Sequence, residues 1–202
     1  MSMVTALAPG LQDGVHDSQQ AFRAVLDALA RPGQLRWIGT ALPGVALGGA
    51  MARLLLSMCD EETSVWWQSD DADLQQWLRF HTGAPVAEQP GLASFAVFAE
   101  PDPALLLGTF AAGTAEAPEF SSTLLIEIPS FQNGTILQWR GPGIADVQQV
   151  AVQGLPDDFW LQWQLNHAAF PQGVDIVFTC GDSAMGLPRT TCVSSQGSLP
   201  CM

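Results

Sequence analysis

Lysine is absent from the 202 residues. A Schiff base to an internal lysine, and with it ordinary pyridoxal-phosphate chemistry, is excluded, as is a Walker-type phosphate loop. The seven basic residues are all arginine, at 23, 31, 36, 53, 79, 140 and 189. Against them stand 20 acids, for a formal charge of -13. Such a field repels nucleic acid, anionic lipid and free nucleotides, so neither nucleic acid nor a membrane surface is expected as a partner. A phosphate site here needs locally clustered arginines or a basic partner.

Other signals are missing too. No apolar run is long enough to span a bilayer, and the first ten residues lack a basic n-region and a long apolar core. A soluble, cytoplasmic protein is expected. The four cysteines, at 59, 180, 192 and 201, include no C-x-x-C pair and no metal-ligand spacing, so all four read as buried or incidental thiols and no metal site is expected. There is no G-x-S-x-G elbow and no dinucleotide fingerprint.

Apolar residues make up 48% of the chain, enough for one sizeable core at this length. One domain is expected over 16–192, between a loose lead-in (1–15) and a polar tail (193–202). Asp17 with Gln20 resembles a capping box, and Phe22, Val25, Leu26 and Leu29 recur at helical spacing until Pro32-Gly33 stops the helix. Gln34 to Gly39 can form a short strand. Leu47 to Met58 read as a helix apolar nearly all round, belonging to the core or to an interface, with Arg53 its single charge. Thr63 to Trp67 read as a buried strand. A third helix, capped by Ser69, Asp70 or Asp71, carries Leu74, Trp77, Leu78 and His81 on one face. Its exit, Arg79 to Pro85, holds Gly83 and Pro85 for termination.

Ser94 to Phe98 and Thr123 to Ile128 read as strands, and the Asn-Gly turn within Phe131 to Thr135 predicts a hairpin joining the second of these to Thr135–Arg140. Gln148 to Val152 make another strand. Asp157 and Asp158 precede an aromatic helix ending near His167. The segment from Phe170 to Thr191 then predicts a hairpin, with Val174, Ile176 and Phe178 on one side, delivering Arg189, Thr190 and Thr191 at its exit. Alternating helices and strands in the first half suggest parallel crossovers, and the hairpins demand antiparallel neighbours. The fold expected is a single α/β domain with a mixed central sheet flanked by helices.

Candidate chemistry gathers at element ends. Arg79, Arg140 and Arg189, with His81 and Thr190, are the candidate phosphate-binding residues, because planar guanidinium groups hold phosphoryl oxygens in pairs. Each has a structural alternative: an arginine or histidine in the last helical turn complements the macrodipole, and His81 by its spacing reads first as a hydrogen-bonded core residue. Cys180 with a histidine is a conceivable dyad, although a cysteine at a strand end reads first as a small hydrophobe. Glu116, Glu119 and Asp175 are possible acids or bases.

Six segments in order, over about residues 12 to 192, carry a family resemblance. They are Asp17 to Gly33, Leu78 to Pro85, Gly113 to Glu119, Arg140 to Ile144, Phe170 to Gly181 and Leu187 to Thr191. Together they resemble the H-subunit family of the bacterial carbon-phosphorus lyase system for phosphonate use. The resemblance implies a fold similar to the large domain of pyridoxal-phosphate-dependent transferases, without the cofactor. It also implies sister subunits G, I and J in a core complex, and homodimerisation of the isolated chain. With G, I and the L protein the family is associated with transfer of an alkylphosphonate onto the ribose C1 of ATP, displacing adenine. The iron-sulfur cluster and S-adenosylmethionine of the later bond cleavage are expected only in a partner subunit. No cofactor is expected here. The favoured reading is a required, non-catalytic subunit; the alternative is one that contributes arginines to a phosphonate or triphosphate site.

Overall fold

The computed structural model describes residues 8–195. Its centre is a six-stranded mixed sheet. In chain order its members are β1 (Arg36–Trp37), β2 (Val65–Trp67), β3 (Phe95–Phe98), β4 (Thr123–Glu127), β7 (Asp175–Cys180) and β8 (Ser183–Leu187), arranged β1-β8-β7-β4-β3-β2. β2, β3, β4 and β7 are mutually parallel, and the β7–β8 hairpin and edge strand β1 add the antiparallel pairs.

Because side chains alternate along a strand, neighbouring residues serve different cores. Val97, Leu125, Val177 and Ala184 face one side, which is covered by α1 (His16–Ala30), α2 (Gly49–Met58) and α3 (Ala72–Thr82). Phe98, Ile126, Phe178 and Met185 face the other. There the cover is α4 (Phe159–Ala168) and a second, three-stranded antiparallel sheet, ordered β6-β5-β9 from β5 (Ile136–Arg140), β6 (Gln148–Ala151) and β9 (Cys192–Ser195). An α/β domain with a mixed central sheet is therefore present, but helices cover only one of its faces completely.

Several local expectations are corrected. The Asn-Gly segment does not pair β4 with β5, because β4 lies between β3 and β7 and both of its edges are filled. β5 pairs with β6 and β9 instead. The hairpin at 175–187 is not the last structured element: the chain continues into β9, and Val193, placed in the tail by sequence, is buried. Residues 196–202, and lead-in residues 1–7, lie outside the described residues.

α1 begins at His16, where Asp13 accepts from the backbone N–H groups of Val15 and His16, and Asp17 reaches back to those of Gln12 and Asp13. The buried face of α1 is Ala21, Val25 and Ala28, and Phe22 and Leu26 stand exposed. Small residues face inward because α1 lies directly on β8: a Cβ on Gly186 would come within 2.6 Å of the Ala28 carbonyl oxygen. α2 is core: Met51, Leu54 and Leu55 are fully buried. Arg53 donates to the Thr40 carbonyl at 2.9 Å. α3 is capped by Asp71, whose carboxylate accepts from the N–H groups of Asp73 and Leu74, and ends on Gly83 with φ 79°. Cys59 and Cys180 are free thiols, whereas Cys192 is disulfide-bonded, contrary to the reading of every cysteine as a thiol. No described helix is long and apolar enough to cross a membrane.

Candidate functional site

The five candidate residues do not converge. Arg79 and His81 belong to α3, on the helical side of the central sheet; Arg140, Arg189 and Thr190 lie on the side of the small sheet. His81 is exposed, not in the core: α3 carries it beyond the sheet edge, over Trp77, with its ring edge-on at 5.6 Å. Its Nε2 donates to the Ala8 carbonyl at 3.0 Å, pinning the lead-in. Arg79 is exposed and makes no ion pair among the described residues.

Arg189 is fully engaged within the chain. Its Nε donates to both oxygens of Asp175, at 3.1 and 3.2 Å. Nη1 donates to the carbonyls of Pro118 and Pro171, at 3.1 and 3.2 Å, and Nη2 donates to Ser121 and Asp175. All five guanidinium hydrogens thus have acceptors, and the side chain is 12% exposed. The arginine ties the starts of β4 and β7 to the end of β8, leaving no donor for a phosphoryl oxygen. Asp175, considered as an acid or base, is the anion of this brace. Arg140 is half-buried and, among the described residues, pairs only with the exposed Asp146, at 3.3 Å.

Around the hairpin exit a cavity of about 520 Å³ is lined by Pro142, Gln164, His167, Phe170, Thr190 and Val193. The Nδ1 of His167 donates to the Arg189 carbonyl at 2.8 Å, so the proton sits on Nδ1 and Nε2 carries the lone pair of the neutral ring. Trp163 donates to the Thr191 carbonyl at 2.9 Å, and Thr191 is fully buried with an unpartnered hydroxyl. The site offers one imidazole, one amide and one hydroxyl among apolar walls. Gln164 and His167, at i and i+3 on α4, were the sequence signal for it, obscured by the aromatics between which they lie.

Open α/β sheets commonly bind ligands beyond the carboxyl ends of their parallel strands. Here that edge is acidic. Glu127, ending β4, accepts from the Thr179 hydroxyl and from the Gly181 N–H at 2.9 Å. The same carboxylate lies against the start of α2, where a Cβ on Gly48 would meet its Oε1 at 2.8 Å. A helix N-terminus that could attract a phosphate is therefore beside an internal anion. Next to it, beyond β2 and β3, a cleft of about 810 Å³ is lined by Asp70, Asp71, Asp73 and Glu100. Burial, and secondarily Glu127, raise the pKa of Cys180, whose Sγ contacts the Pro129 carbonyl at 3.6 Å; no histidine is bonded to it. The Cys-His dyad is not assembled. Among the described residues no group of three or more His, Cys, Asp or Glu could hold a metal ion.

The profile of the family described as "Bacterial phosphonate metabolism protein (PhnH)" matches residues 9–194. A curated relative from Rhizobium meliloti (strain 1021), alpha-D-ribose 1-methylphosphonate 5-triphosphate synthase subunit PhnH, is 38% identical over 182 residues, covering 89% of this chain and 91% of its own length. The putative C-P lyase subunit protein HtxG of Stutzerimonas stutzeri is 29% identical over 180 residues, covering 89% and 87%.

Proposed function

The chain belongs to the bacterial phosphonate metabolism protein (PhnH) family, and on that premise we propose that it is a subunit of a carbon-phosphorus lyase system. In this reading it works with sister subunits G, I and J in forming alpha-D-ribose 1-methylphosphonate 5-triphosphate from ATP and methylphosphonate. The observation that carries it is the 38% identity to a named synthase subunit along nearly the whole of both chains.

Within that system we assign it a partner-binding role, without cofactor or metal of its own, in the cytoplasm. Three features support the assignment. The candidate arginines are divided between two faces of the sheet, and Arg189 is saturated by its own chain. The carboxyl edge of the parallel strands presents carboxylates, which oppose a triphosphate. The absence of lysine removes the anchor for pyridoxal phosphate, even if the sheet is related to the large domain of the transferases that use it. The isolated chain is proposed to dimerise.

Two measurements test this. The tagged chain, purified from cells growing on a phosphonate, is expected to bring the sister subunits with it; their absence would remove the subunit assignment. Calorimetric titration of the isolated chain with ATP and with methylphosphonate is expected to give no binding heat. Micromolar binding abolished by Arg140→Ala or Arg79→Ala would instead favour the arginine-contributing reading.

A further inference from the structure

Three cavities join end to end across the amino ends of the parallel strands. The first, about 240 Å³, lies before β3 and β4 and includes Leu92, Glu119 and Phe120. The second, about 360 Å³, shares Glu119 with it and runs past Pro118, Pro171 and Pro188 to Phe170 and Thr190. The third, the cavity of about 520 Å³ at the hairpin exit, shares Phe170 and Thr190 with the second. The ends of β3, β4, β7 and β8 are adjacent in the sheet. At about 4.8 Å per strand the trench crosses roughly 14 Å, the reach of about four extended residues.

Large apolar side chains stand along it. Leu92, Phe120 and Phe170 are 67%, 76% and 59% exposed. Beneath them the floor is rigid, since the Arg189 brace ties together Pro118, Ser121, Pro171 and Asp175. The unpaired charge along the trench is carboxylate. Asp175 is neutralised by Arg189. Glu119 is exposed at the junction of two cavities and makes no ion pair among the described residues; Glu116, exposed on the same loop, makes none either. A second copy of the chain would add another net charge of -13, with only seven arginines to set against its 20 acids.

We propose that this trench is the docking surface for an extended segment of a different polypeptide. That segment lays apolar side chains against Phe120 and Phe170 and places a lysine or arginine on Glu119. The inference deepens the subunit assignment and rests on it: the segment belongs to one of the sister subunits. Exposed aromatic anchors around a single unmatched charge supply the burial and the orientation such an interface needs.

The test uses the sister-subunit complex assembled without this chain, immobilised, with the chain as analyte. Phe120→Ala and Glu119→Lys are each expected to weaken binding by about tenfold or more. Trp37→Ala, on edge strand β1 away from the trench, is expected to change it by less than about twofold. Unchanged affinity in both trench variants, with the wild-type chain binding normally, would sink the trench assignment and leave the subunit assignment standing. Failure of the wild-type chain to bind would remove both. If either variant fails to fold, hydrogen exchange of the wild-type chain decides: protection at 118–121 and 170–171 on adding the complex supports docking, and none refutes it. A wild-type homodimer dispersed by Glu119→Lys would place a second copy in the trench and overturn the proposal.

Discussion

Removing the Arg189 side chain leaves Asp175 partly buried without its cation and takes the donors away from the Ser121 hydroxyl and two carbonyls. Arg189→Ala is expected to cost about 3 kcal/mol in urea denaturation. Arg189→Lys, which keeps the charge but loses the planar fork, should recover only part of it. Neither substitution should create or abolish affinity for phosphonate in the fraction that stays folded. Cys59 supplies a pH signature. Burial first, and then Asp60, push its thiol from 9.0 up to about 12. A raised folded-state pKa contributes stability below the unfolded value that is lost as pH rises through the folded one. Stability should therefore fall between pH 9.0 and about 12, and Cys59→Ala should flatten that alkaline limb in melts recorded across the range. The sequence placed Arg189 at a hairpin exit and allowed two roles for it. The acceptors that engage it, on Pro118, Ser121 and Pro171, are distant in the chain and are brought together by adjacent parallel strands.

Among the elements, α1 and β8 meet through missing side chains. Gly186→Ala would press a methyl against the Ala28 carbonyl oxygen, 2.6 Å away, and the backbone there has nowhere to retreat. A loss of about 2 kcal/mol is expected, with the change confined to the helical side of the sheet in backbone chemical shifts. Most elements were legible because their patterns are local. Asp71 before a 3.6-residue repeat and Gly83 after it mark α3, and Val174 to Phe178 alternate as a strand should. The failures come from competition between elements. The Asn-Gly turn promised a hairpin, but β4 already has two partners. β9 reads Cys-Val-Ser-Ser, too short and too polar to announce a strand, and it forms because β5 offers an open edge. Phe22 and Leu26 looked like core by period, yet the close approach of α1 to β8 admits alanine there, so the larger residues turn outward.

For the whole molecule the governing quantity is the charge of -13 on a chain with no lysine. Screening weakens charge contacts between partners over a length of about 8 Å at physiological salt. Association with the sister subunits should therefore slow as salt is raised, while dissociation, set by the apolar walls of the trench, should change much less; stopped-flow mixing at several salt concentrations separates the two. Seven tryptophans were compatible with either a core or a partner surface. Trp77, Trp139 and Trp163 are fully buried and Trp37 is 54% exposed, a division set by tertiary layering that composition does not carry.

The small sheet has a temporal consequence. Its central strand, β5, leaves the ribosome more than fifty residues before its second partner, β9. Until Val193 emerges beside Trp139, one edge of β5 stays open and part of the second core stays uncovered. Synthesis of this chain thus presents a half-closed intermediate until β9 has been made, the interval in which a nascent-chain chaperone would hold it.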